Sequence, residues 1–184
     1  MQYQEYRILM ASGFIGQFTG LVIHPKSTFA ALKEKSLRSA FAYFLAVWAI
    51  SAVLLSTIGW RLNFHAEPSD SWLMAQFAVL VLICWLYFGL VVHAMLRILS
   101  GPKSLEKTIR AVLYAITPIA VIGWISIIGG LSFIWGLFLM QWGLMEYHGI
   151  TNSRAFVVLL LSVMIGIFSF FIAYYFLLIL TALI

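Results

Sequence analysis

Charged residues are scarce in this sequence: only 9% of its 184 residues are Asp, Glu, Lys or Arg, with six acidic side chains against eleven basic. A soluble domain carries about 25% charged residues, because its surface must face water. A chain this poor in charge cannot cover itself in water, which excludes a soluble domain and any soluble enzyme. The formal charge of +5 does not point to nucleic acid, because the basic residues form no single patch. Cysteine is nearly absent as well. Cys84 stands alone inside an apolar run, so it can form no intrachain disulfide and is silent on redox compartment. It reads as a small hydrophobe in a helix. No acidic residue forms a metal-binding helix motif with histidine, and no glycine loop could cradle a phosphate. A cleavable leader fits the start poorly. Residues 1–7 are polar, and the first apolar stretch, 8–23, is interrupted by Gly13, Gly16, Gln17, Thr19 and Gly20.

Hydrophobic residues are abundant, at 64% of the chain with a mean hydropathy of +1.04. A helix needs about 20 mainly apolar residues to cross the hydrocarbon layer of a bilayer. Clear runs cover residues 39–59 and 71–96. A longer stretch divides at Gly129 and Gly130 into legs over 111–128 and 131–145, short enough for a tight or re-entrant hairpin. A last run, 155–184, is over-long and should tilt or kink. The reading is an all-α integral membrane bundle of five helices. Basic residues set its orientation. Arg7, Lys26, Lys33, Lys35 and Arg38 precede the first span, Arg97, Lys103, Lys107 and Arg110 separate the second and third, and Arg154 separates the last two. Ten of the eleven basic residues thus fall on one side, leaving Arg61 alone on the other. The pattern predicts a cytoplasmic N-terminus and an external C-terminus in a cell membrane. Trp60 and Trp72 by the outer loop, and Tyr114 and Tyr147 by the inner ones, read as interfacial aromatics.

Residues 1–38 read as a cytoplasmic segment and 39–184 as the membrane domain. Within the first, Met10, Phe14, Phe18 and Leu21 share one helix face, and Ser12, Gly16 and Gly20 the other. That asymmetry over residues 8–23 predicts an amphipathic helix lying in the interface, ended by Pro25 and followed by a basic run against anionic headgroups. No Asp, Glu, Lys or Arg falls inside the five apolar runs. Buried ionisable groups mark proton relays and ion paths, so a proton-coupled carrier, a pump and an intramembrane protease are disfavoured. Gln76, His93 and Gln141 are the polar residues within the runs. They read first as hydrogen bonds between helices, and second as the lining of a polar cavity. His65, Glu67 and Asp70 make a loose trio on the outer loop, more plausibly chance than a metal site. Glu146 and His148 read as interfacial polar groups.

Small residues recur along two runs: Ser162, Gly166, Ser169 and Ala173 in the last, and Ala42, Ala46, Ala49, Ser56 and Gly59 in the first. In lipid such stripes let helix backbones approach. Packing within one chain is the first reading, and a homo-oligomer seam the second. Pro118 removes a backbone hydrogen bond inside the third run, either as a packing kink or by freeing carbonyls for a ligand.

Three stretches together resemble the Yip domain of the Ypt-interacting protein family of Golgi membrane proteins and their bacterial and archaeal relatives. The first is His24-Pro25-Lys26-Ser27-Thr28-Phe29 followed by Leu32. The second is 104–118, with Ala111, Tyr114, Ala115 and Pro118. The third is Gly143-Leu144, then His148-Gly149-Ile150 and Arg154-Ala155. The resemblance runs from about Phe14 onward. It implies a five-helix membrane fold with a cytoplasmic N-terminus, and motif roles for Pro25, Phe29, Tyr114, Pro118, Gly143, Gly149 and Arg154. Eukaryotic relatives are linked to Rab GTPases, vesicle traffic and membrane shaping. The short segment before the first span looks prokaryotic, which puts Rab binding in doubt. The expectation is a non-enzymatic protein without cofactor that organises membrane or protein partners, with the lipid bilayer, other membrane proteins and a second copy as its contacts. The alternative is a channel or carrier for a small neutral or lipophilic solute.

Overall fold

The computed structural model describes residues 13–55, 57, 71–123 and 125–182, and among these the only regular structure is helix. In chain order the helices are α1 (Phe14–Ile23), α2 (Pro25–Leu32), α3 (Leu37–Leu54), α4 (Ser71–Ser100), α5 (Leu105–Ala115), α6 (Thr117–Ile122), α7 (Ser126–His148) and α8 (Asn152–Ala182). Four of them are long and apolar enough to cross a membrane, over Leu37–Leu54, Leu82–Ser100, Ile128–His148 and Asn152–Phe176. The expected features at Met10, Ser12, Ser56, Gly59, Trp60, Arg61, His65, Glu67 and Asp70 lie outside the described residues.

Local chemistry sets the helix ends. Pro25 opens α2, where a missing N–H costs nothing and a fixed φ suits the first turn. Ser36 caps α3, its hydroxyl accepting from the Ser39 amide at 3.3 Å. Gly149 closes α7 in the left-handed region, φ 63°, and its amide donates to the Met145 carbonyl at 2.9 Å. A methyl group on Gly149 would meet nothing within 4 Å, so replacing it strains only the backbone. Gly149→Ala should therefore destabilise by about 1–2 kcal/mol. Gly130→Ala has equal room but lies inside α7, so it should stabilise by up to about 1 kcal/mol. Opposite shifts in thermal unfolding of the detergent-solubilised protein check the pair; shifts of the same sign would contradict it.

The α5–α6 pair sits at the centre. α3, α4 and α7 all pack against α5, while α6 contacts α1, α3 and α7. Ala111 through Ala115 are fully buried. Pro118 explains why this leg is two short helices, since it has no N–H to offer the Tyr114 carbonyl four residues back. The Thr117 hydroxyl donates to that carbonyl instead, at 2.7 Å. Its one proton is then used, so the Tyr43 hydroxyl of α3 donates to Thr117 Oγ1 at 2.9 Å. From α4, Trp85 Nε1 donates to the Val112 carbonyl at 3.0 Å. The break at Pro118 is thus a stitched packing kink. Thr117→Val should cost about 1–3 kcal/mol, and most of that loss should recur in Tyr43→Phe without adding in the double variant. Additive losses in unfolding experiments would contradict the shared bond.

Several expectations are corrected. Helix α6 ends at Ile122 and α7 begins at Ser126, so Gly129 and Gly130 lie inside α7. In an apolar run two glycines can equally pack in a helix or end one, and here Gly129 lets α7 start close against the Gly123 carbonyl, which an added Cβ would approach to 2.6 Å. The stripe along α3 is not its packing face. Ala42 and Ala49 are exposed, whereas Ala40, Tyr43, Phe44 and Val47 are buried. Helix α3 thus packs on α5 and α6 through its large residues. In helix α1, Phe14 and Phe18 are half-buried. Both pack on the core, Phe14 against Tyr43 with centroids 5.4 Å apart, while Ile15 and Ile23 are exposed. A helix apolar on both sides buries one side against protein and leaves the other for lipid. Tyr114 and Tyr147 are buried within the bundle and not exposed on its surface.

Candidate functional site

One end of the bundle gathers the C-termini of α4 and α7, the N-termini of α3, α5 and α8, and the whole of α2. This convergence follows from the short connections 101–104 and 149–151, which force neighbouring helices to run antiparallel. The described basic residues collect there, because an ionised side chain inside the apolar stretch of a helix would have to leave water unpaired.

Arg110 is the centre of this end. It is buried, and its Nη1 donates to the Lys33 carbonyl at 3.0 Å and to the Lys35 carbonyl. Its guanidinium lies 5.1 Å from the centroid of the Tyr147 ring. The C-terminus of α2 is thereby tied to α5 and α7 by a charge that satisfies chain-end carbonyls and an aromatic face together. Lys33 Nζ in turn pairs with Glu146 Oε1 at 3.3 Å, on the exposed side. Beneath them Phe29 packs edge-on against Tyr114 and Tyr147, with centroids 6.4 and 5.8 Å apart.

A second cluster sits on the other flank of α5. The buried Thr108 hydroxyl meets His93 Nδ1 and His148 Nε2, each at 3.0 Å. A hydroxyl has one proton, so at least one of the two rings donates to it. Lys103 Nζ donates to the His148 carbonyl at 3.2 Å, closing the end of α7 with a cation. This arrangement clamps three helices by hydrogen bonds between α4, α5 and α7.

The structure places the expected polar residues apart. Gln76 is exposed and lies 17 residues from His93 on the same helix, about 25 Å at 1.5 Å per residue. Gln141 Nε2 donates to Asn152 Oδ1 at 2.6 Å, joining α7 to α8. Gln76, His93 and Gln141 therefore do not line one compact cavity. The motif residues, by contrast, converge. Phe29, Tyr114 and Gly143 come from three separate stretches and meet. A Cβ on Gly143 would lie 2.9 Å from both Phe29 Cε1 and Ala111 Cβ. Pro25 is buried, Pro118 makes the kink and Gly149 caps α7, while Arg154 is exposed in the first turn of α8. Of the last-run stripe, Ser162 is buried and Gly166 faces Phe88 of α4. Ser169 accepts from the Tyr87 hydroxyl at 2.9 Å, and Ala173 lines a groove between α4 and α8. The sequence reading missed Thr108 and Arg110. The available signal was their position in the two turns before a fully apolar helix segment, where a polar side chain faces the bundle as readily as water.

No curated protein and no solved structure matches the chain. The family model of the Yip1 domain matches residues 19–173, which takes in every element from α2 to α7, the second half of α1 and the first two-thirds of α8. The match covers most of the length and includes the three stretches whose residues meet at Phe29, Tyr114 and Gly143. The chain is a membrane protein with apolar helices that belongs to the Yip1 domain family.

Proposed function

We propose that this protein is a non-catalytic multi-pass membrane protein that organises membrane or protein partners from its basic end. The observation that carries the reading is the filled interior. Phe29, Phe44, Leu113, Tyr114, Met140 and Leu144 occupy the centre, each under 2% exposed. Large packed side chains leave a bundle suited to presenting surfaces. In this reading α5 and α6 together make the third of five crossings, with the N-terminus cytoplasmic and the C-terminus external in the cell membrane, and Lys103, Lys107 and Arg154 face the cytoplasm. Resemblance to relatives linked to traffic and membrane shaping supports the same role.

A carrier for a neutral or lipophilic solute is the second reading. It is favoured by the groove of about 770 Å³ between α4 and α8, lined by Trp85, Phe88, Phe133, Gly166 and Phe170. Reconstitution into liposomes separates the two. The organiser should pass no protons or small solutes, and a photo-crosslinker at Lys107 in native membranes should give discrete adducts with other proteins. His93→Gln should leave stability and adducts unchanged, since an amide can replace the ring nitrogen toward Thr108. A proton flux abolished by His93→Gln would overturn the organiser.

A further inference from the structure

At the basic end the turn between α1 and α2 and the adjoining face of α7 border an open cavity of about 550 Å³. Its walls carry Ile23, His24, Lys26 and Ser27 from the turn, and Trp142 and Glu146 from α7. We propose that this cavity binds a zwitterionic phosphate–ammonium group, as carried by an ethanolamine phospholipid headgroup or by soluble phosphoethanolamine. The inference rests on this end lying at headgroup level in a membrane, and not on which partners the protein organises.

Charge selects the ligand class. Lys26 and Glu146 both line the cavity and come from different elements, α2 and α7. A simple anion would meet the Glu146 carboxylate, and a simple cation would meet the Lys26 ammonium. A ligand carrying both signs is complementary to both. Glu146 gives Oε1 to Lys33, which leaves Oε2 to accept from an ammonium. Trp142 lies one helical turn before Glu146 on the same face of α7, so the indole and the carboxylate can share one cation. The phosphate then falls to Lys26. The volume is in the range of small-ligand pockets. The exposed, apolar Ile23 at the rim offers a surface along which an acyl chain can run toward the hydrocarbon.

The test uses the full chain, purified and delipidated in detergent, with native mass spectrometry against phosphatidylethanolamine, phosphatidylglycerol and a cationic lipid, and with soluble phosphoethanolamine as competitor. Retention of the ethanolamine lipid over each singly charged lipid should be about tenfold, a difference of about 1.4 kcal/mol. Lys26→Gln and Glu146→Gln should each abolish that preference. Lys33→Gln breaks the ion pair without touching the cavity wall, and should keep it. Lipid that resists millimolar phosphoethanolamine identifies the bilayer as the source, and displacement identifies the soluble compound; both support a zwitterion site. Equal retention of phosphatidylglycerol, or a preference that survives both cavity variants, would overturn it.

Discussion

Arg110→Ala is expected to destabilise the protein by about 3–5 kcal/mol, more than any other truncation at the basic end. The variant loses two charge-assisted bonds to the Lys33 and Lys35 carbonyls, each worth about 1.5–3 kcal/mol. It also loses the cation–π contact with Tyr147, worth up to about 2 kcal/mol when desolvated. Because these contacts fix the end of α2, protease cleavage after Lys33 and Lys35 should rise in parallel. Arg110→Lys keeps the charge but not the planar fork, and should fall between the two. Unfolding of the three proteins in the same detergent decides the matter. A change below about 0.5 kcal/mol in Arg110→Ala would place Arg110 among ordinary surface cations.

Thr108→Val should be the next most damaging change, at about 2–4 kcal/mol. Valine keeps the shape of threonine but removes the hydroxyl shared by His93 and His148, leaving a nitrogen on each ring without its partner. Thr108→Ser keeps the hydroxyl and should recover most of the loss. The readouts are the unfolding midpoint and the rate of histidine modification by diethylpyrocarbonate, which should rise at both rings in Thr108→Val alone. Equal stability of the valine and serine variants would show that the hydroxyl holds nothing together.

Both residues expose the limit of reading this chain from its letters. The helices at 37–54, 71–100 and 152–182 were legible because each is a long apolar run with charges only near one end, and lipid tolerates no other pattern. The sign of Arg110 was equally plain, but its burial depends on where α2 folds back, which no periodicity within α5 reveals. Helix α1 shows a related limit. Its phenylalanine face was legible, but that Gln17 and Gly20 are buried beside Leu21 while Ile15 and Ile23 are exposed depends on how it docks on the bundle. The hairpin before α7 lies earlier than the glycine pair suggests, because Gly129 and Gly130 look like a turn and Gly123 does not. The motif residues gave the truest guidance. Phe29, Tyr114 and Gly143 are far apart in sequence, and only the fold shows that Tyr114 and Gly143 both pack on Phe29.

The central claim is that the kinked α5–α6 pair completes an odd number of crossings. Four long helices alone would return both termini to one side of the membrane; in the proposed topology the broken leg adds the fifth crossing. Single cysteines at Gln2 and Ile184 in a Cys84→Ser background, labelled with a membrane-impermeant maleimide in intact cells, test this directly. The account predicts labelling of Ile184→Cys from outside and of Gln2→Cys only after permeabilisation. Labelling of both sites from the same side would contradict it and make α5–α6 a re-entrant hairpin.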